Sequence, residues 1–125
     1  LIMAAAVADY KPKVVSDEKI KKKNAKLSLE LVKTDDILKE IVKNKKQQFV
    51  VGFALETNNE QENAKQKLVH KNLDAIVLNS LNDTGAGFGH DTNKVTIITA
   101  NEETNYTLKS KKEVAVDILN FIEGC

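Results

Sequence analysis

Arginine is absent from this sequence, and cysteine occurs once, at Cys125. Without arginine the chain has no planar forks to read guanine edges or grip phosphates two bonds at a time, which argues against a nucleic-acid binder. A lone cysteine excludes an intramolecular disulfide, and that fits a reducing compartment and a cytoplasmic location. No cluster of Cys and His has metal-ligand spacing, so no protein-built metal site is expected. Nor is there a G-x-S-x-G elbow or a cysteine–histidine pair that would mark a nucleophile. The longest apolar run, Leu1 to Ala8, is far too short to span a bilayer. It lacks a basic leader and a cleavage region, so it reads as a buried strand and no membrane partner is expected. With no initiating methionine before that strand, the sequence is expected to be part of a longer polypeptide.

What is present is an ordinary globular balance. The 125 residues are 42% apolar and 30% charged, enough for one domain, residues 1–125, with a core of its own. The net charge of +1 hides an asymmetry. Residues 11–26 hold seven lysines (Lys11, Lys13, Lys19, Lys21, Lys22, Lys23 and Lys26) against Asp17 and Glu18, a local balance of +5, so the remainder sums to −4. Four of these ammonium groups lie within five residues and repel one another unless solvent, salt or a bound anion screens them. The segment is either a solvated loop or a place where something negative spends time.

Along the chain, Leu1 to Ala8 reads as a strand covered on both faces of a parallel sheet. Asp9-Tyr10-Lys11-Pro12 stops it. Leu27, Leu29 and Leu31 alternate with polar neighbours as a period-two strand whose partner is not obvious within the chain, which hints at pairing with a second subunit. Ile37, Leu38, Ile41 and Val42 form a helical stripe over Asp35 to about Lys43, with Thr34 as cap. Phe49 to Leu55 is a second buried strand. Thr57 followed by Glu60 reads as a capping box for a helix to about Asn72. "DAIVLNS" is a third buried strand. "KVTIITA" and "NYTLK" read as antiparallel strands about a turn at residues 101–104. Ser110 and Glu113 form a second capping box, for a helix facing Val114, Ala115, Ile118, Leu119 and Ile122 inward. The alternation implies an α/β fold, a Rossmann-like and mostly parallel sheet with antiparallel edge strands. The lysine-rich segment, about residues 10–33, is an insertion expected to serve as a flap or dimerisation arm.

In open α/β sheets ligands sit beyond the carboxyl ends of the strands. Those ends carry Asp9 and Tyr10, Phe53 and Glu56, and Asn79 and Ser80. Asp9 either holds a ribose hydroxyl or a metal, or simply terminates its strand. Lys67 and Lys71 share a helix face with Asn63; like charges at that spacing cost a few tenths of a kcal/mol, yet solvated surfaces carry such pairs often. His70 reads as a surface residue. "TGAGFGHD" is not a phosphate loop: its glycines miss the known spacings and it leads into a strand, so it reads as a turn.

The segments "AAAVADYKP", "EKIKKK", "LVKTDDIL", "VVGFALETNN", "AKQKLVHKNLD" and "IVLNS…GFGHDTNKV", in that order, resemble phosphopantothenoylcysteine synthetase, the carboxy-terminal half of a bifunctional bacterial coenzyme A biosynthesis protein. The resemblance spans nearly the whole chain. It implies a ligase that joins phosphopantothenate to cysteine through an acyl-cytidylate, converting CTP to CMP and pyrophosphate with Mg2+ bridging the phosphates. It further implies that Lys19 is the catalytic lysine on a flap and, with Asp9, a nucleotide ligand. Thr34, Asp35, Asp36 and Ile37 would line the cytosine pocket, with Phe53 nearby, and Lys67 and Lys71 would meet the nucleotide from their helix. A homodimer is expected from the alternating strand at Leu27 to Leu31 that lacks an obvious partner, and a decarboxylase fused upstream is left open. The family usually shows Asn-Pro-Asp-Ile where this chain has Thr34-Asp35-Asp36-Ile37, which leaves CTP against ATP unsettled. The amino-terminal part of the family's domain, with a glycine-rich loop and an asparagine for the acyl intermediate, is missing, so this fragment alone is expected to be inactive. Two other readings stand beside it. One is a nucleotide-binding α/β module of an unrelated redox or transferase enzyme. The other is a nucleic-acid patch, which the sequence disfavours because the basic segment offers only Tyr10 for stacking.

Overall fold

A computed structural model of the chain describes residues 1–21, 26–80, 82–87 and 89–125. Its elements are β1 (Ile2–Met3), β2 (Tyr10–Pro12), β3 (Leu31–Lys33), α1 (Ile37–Lys43), β4 (Val51–Glu56), α2 (Glu60–His70), β5 (Ala75–Ser80), β6 (Thr92–Asn93), β7 (Val95–Ile98), β8 (Glu103–Asn105), β9 (Lys109–Ser110) and α3 (Lys111–Glu123). The main sheet has the order β1-β4-β5-β7-β8. β1, β4 and β5 run parallel, and β7 and β8 complete it antiparallel. This is the Rossmann-like arrangement expected from the alternation of strands and helices. Two short antiparallel pairs, β2 with β3 and β6 with β9, lie outside the main sheet.

The period of two along each strand divides the core into two layers. Val50, Ala54, Ile76, Leu78 and Ile98 pack with Ala64 and Leu68 of α2 and with Leu38 and Val42 of α1. Val51, Val77, Val95 and Ile97 pack with Val114 and Ile118 of α3. Helices therefore cover both faces of β4 and β5, as their unbroken apolar runs require. Gly52 serves close approach: a Cβ there would come within 2.7 Å of Leu73 Cδ1. Among the described residues no helix is long and apolar enough to cross a membrane.

Several local expectations fail for identifiable reasons. Leu1 to Ala8 is not buried on both faces: only Ile2–Met3 pairs, with β4 on one side, and Leu1 and Ile2 are exposed. Hydrophobic pattern says that a strand wants cover, not that the same chain supplies it. The alternating strand does find a partner within the chain, and over a shifted span, because Leu31–Lys33 pairs with Tyr10–Pro12. Thr34 does not cap α1. Its hydroxyl donates to Ala8 O at 2.6 Å, while Asp36 accepts from Lys39 N at 3.1 Å and is the cap. The Thr57 box does not form either. α2 starts after Asn59 in the left-handed region with no side-chain cap bond, because Glu60 turns away to Ser80 Oγ and Asn82 Nδ2. The helix itself runs to His70 with Lys71 as its C-cap, close to the expected end. The last hairpin turns at residues 99–102, closed by Thr99 N to Glu102 O, so its return strand is Glu103–Asn105. The Ser110–Glu113 box forms as expected. On α3, however, Ala115 and Leu119 stay exposed and Phe121 joins Val114, Ile118 and Ile122 at the sheet.

Candidate functional site

Beyond the carboxyl ends of β1, β4 and β5 lies a cleft of about 470 Å3. Its floor is Ala4 to Asp9 after β1, Phe53 to Leu55 at the end of β4, and Asn79 near the end of β5. One wall is the entry to α1, Thr34 to Leu38, with Lys71 reaching up from the end of α2. The other wall is Gly87, Asn93 and Lys111, the last at the start of α3. The cleft brings together Asp9, Thr34, Asp35, Asp36, Ile37, Phe53 and Lys71 from four stretches of the chain.

Backbone bonds set this geometry. Thr34 N donates to Asp9 O at 2.9 Å and Lys13 N to Glu30 O at 2.9 Å, so the β2–β3 ribbon is rooted at the cleft's edge. Lys71 Nζ lies 3.0 Å from Asp36 Oδ2 and ties the two helices together. Partial burial alone would raise the Asp36 carboxyl, but the Lys39 N–H and the Lys71 ammonium outweigh it and hold it below the usual carboxylate range. Asp9 and Asp35 have no ion-pair partner among the described residues. Three carboxylates therefore face two ammonium groups, Lys71 and Lys111, in the lining.

Two of the expected residues stand apart. Lys19 is exposed in the stretch between β2 and β3 and is not in the cleft lining. Its neighbours Lys22 and Lys23 lie outside the described residues. Lys67 is held by the Glu56 carboxylate beside the cleft, and Asn63 Nδ2 donates to the same carboxylate at 3.3 Å. Asn93, Lys111 and Gly87 were not foreseen. The signal for Asn93 was available: an antiparallel strand beginning at Val95 must start where the parallel strands end. No carboxylate–thiol–imidazole group of three or more with metal-binding geometry occurs among the described residues.

A mostly parallel sheet of this order, with a cleft at the carboxyl ends of its parallel strands, defines an open α/β domain of the class whose ligands sit at that position. Residues 1–125 match the family described as DNA/pantothenate metabolism flavoprotein C-terminal domain, and the chain belongs to it. It is 47% identical over 123 residues to the coenzyme A biosynthesis bifunctional protein CoaBC of Bacillus subtilis (strain 168), covering 98% of this chain and 30% of that protein. It is 54% identical over 123 residues to a cysteine/cysteine sulfinic acid decarboxylase from an unknown prokaryotic organism, covering 97% of this chain and 34% of that protein. The chain thus spans about a third of the curated relatives it matches. The crystal structure of the C-terminal domain of CoaBC superposes with a TM-score of 0.71 at 41% identity, covering 95% of this chain and 50% of that one. The DNA/pantothenate metabolism flavoprotein from Streptococcus pneumoniae gives a TM-score of 0.76 at 21% identity, covering 98% and 62%, a likeness of fold.

Proposed function

We propose that this domain is part of a coenzyme A biosynthesis ligase that joins phosphopantothenate to cysteine at the expense of CTP. One observation carries the reading: the cleft gathers seven of the nine residues expected to touch the nucleotide. In the proposed reaction the acid's carboxylate oxygen attacks the α-phosphorus of CTP and pyrophosphate leaves. The cysteine amine then attacks the acyl carbon, CMP leaves with the electron pair, and the amine gives up a proton. Cytosine packs at the entry to α1 and against Phe53, where backbone N–H groups at a helix start lack intrahelical partners.

Electrostatics explains the lysine-rich segment on this reading. A lining with three carboxylates and two ammonium groups does not by itself welcome a triphosphate and a second anion. The missing positive charge comes from the segment between β2 and β3, with Lys19 closest to the chemistry, and it acts most strongly in a site closed to water. Mg2+ fits the same picture, since it keeps waters and binds through one or two carboxylates plus substrate phosphates. Asp9 and Asp35, the lining carboxylates without an ion-pair partner among the described residues, would hold it, and it would supply neutralising charge there. Lys67 joins once Glu56 releases it. The exposed leucines leading into and within β3, Leu27, Leu29 and Leu31, support a homodimer. The decarboxylase named in the 54% relative lies, we propose, in the two thirds of that protein outside this match. The site of action is the cytoplasm.

The test is titration of the full-length protein with CTP and with NAD, followed by single-turnover analysis of Lys19→Gln. CTP binding without NAD binding is expected, as is loss of amide product in the variant with the fold intact. NAD binding in place of CTP would favour a redox module, and wild-type rates would remove Lys19 from the mechanism.

A further inference from the structure

Lys67 and Lys71, four residues apart on α2 and its C-cap, are both paired with carboxylates, but the two pairs are built differently. Lys71 lies in the cleft lining while its ammonium meets Asp36, and these side chains are 36% and 39% exposed. Lys67 is not in the lining, and its ammonium is drawn to Glu56 at the end of β4. The Glu56 side chain is only 13% exposed. Its other oxygen accepts from Asn63 Nδ2 at 3.3 Å, and the same amide donates to Asn58 O at 2.8 Å. Leu55, the residue before Glu56, and Lys71, one turn beyond Lys67, both line the cleft. The Lys67–Glu56 pair therefore sits at the margin of the lining, within one helical turn of it.

A carboxylate withdrawn from water holds a cation more firmly than one on the surface, because less solvent competes for either charge. Lys67 thus has two claimants: a fixed internal carboxylate, and whatever anion enters the cleft. One ammonium cannot serve both at full strength, and breaking the first contact subtracts from the second. Asn63 works the other way. It keeps Glu56 partnered when Lys67 leaves, so it lowers the cost of release. We propose that Glu56 is an internal competitor that holds Lys67 outside the lining until a nucleotide takes it, and so weakens nucleotide binding by the strength of the pair. This rests on the proposed ligase reading, in which Lys67 meets the nucleotide, and adds the residue that limits how tightly the nucleotide is held.

The test is calorimetric titration of the full-length protein with CTP, for wild type, Glu56→Gln, Lys67→Met, the double variant and Asn63→Ala, with circular dichroism to check the fold. Glu56→Gln keeps the shape and an acceptor for Asn63 while deleting the charge. It is expected to lower the Kd for CTP roughly three- to tenfold, a direction that loss of a merely structural contact does not give. Lys67→Met raises the Kd, and adding Glu56→Gln to it brings no tightening, since the withheld ammonium is gone. Asn63→Ala weakens CTP binding roughly two- to fivefold, because Glu56 then depends on Lys67 alone. Glu56→Gln that fails to tighten CTP by more than twofold, or that weakens it, overturns the proposal. Equal tightening with and without Lys67 also overturns it, since that marks a general effect of charge. Should Glu56→Gln not fold, Asn63→Ala decides, and unchanged or tighter binding there overturns the proposal. Failure of the wild-type protein to bind CTP would instead overturn the ligase reading beneath it.

Discussion

β4 and β5 on one side and the β2–β3 ribbon on the other are both rich in branched apolar residues, yet they reach opposite states. Val50, Val51, Ile76 and Val77 are each no more than 1% exposed, held between helices on both faces. On the excursion from Asp9 to Thr34, Val15 is 84% exposed, Leu27 70% and Leu29 56%. Its three register pairs, Tyr10 with Lys33, Lys11 with Val32 and Pro12 with Leu31, form a sheet with no third strand among the described residues. The Lys13–Glu30 pair at 2.7 Å adds little, since both groups stand in water. An isolated two-stranded ribbon is marginal by itself. The candidate site is therefore made from a rigid half and a weakly supported half, and Asp9 and Thr34 belong to both. Whatever shifts the ribbon reaches the cleft through those two residues.

The comparison breaks or holds on stability. Ile76→Ala empties a site walled by both neighbouring strands and α2, and a loss of about 2–5 kcal/mol is expected in urea unfolding. Leu29→Ala removes a side chain that water already surrounds, and a change within about 0.5 kcal/mol is expected at low protein concentration. A Leu29 cost that grows with protein concentration would show that a second copy covers the ribbon, the homodimer proposed above. Sedimentation of the full-length protein as monomer alone would leave those leucines without that explanation.

The same contrast marks what could be read from sequence. β4, β5 and α3 were legible because pattern, length and the Ser110–Glu113 box agree with one another. So was the side of the cleft beside α1, since Phe53 and the Thr34–Ile37 run lie on or next to elements whose direction was clear. The caps at Thr34 and Thr57 were misread because a side chain with two partners within reach is settled by tertiary neighbours. Ala8 O claims the Thr34 hydroxyl, and Ser80 with Asn82 claims Glu60. On the far wall, Asn93 could have been placed from the antiparallel return of β7, whereas Lys111 comes to the lining through the small β6–β9 pair, which has no sequence pattern of its own.

The smallest expected effect concerns the wall that meets the ribbon, because Asp36 both caps α1 and anchors Lys71 of α2 beside it. Asp36→Asn keeps a good capping side chain while deleting the charge, so it isolates the electrostatic part. The carboxyl is lowered relative to an unfolded Asp, so its contribution is present above the unfolded pKa of about 3.9 and disappears as pH falls through the folded value. At neutral pH the variant should be less stable by a few tenths of a kcal/mol, since the pair is substantially exposed to solvent. Once the pH has fallen below the folded value, wild type and variant should unfold together. Glu113, lowered mainly by the Ser110 hydroxyl, adds an acid dependence of the same sign to both proteins, so the difference between the two curves reports Asp36 alone. A gap that persists unchanged into acid would place the loss in altered cap geometry and remove the ion pair as the tie between α1 and α2.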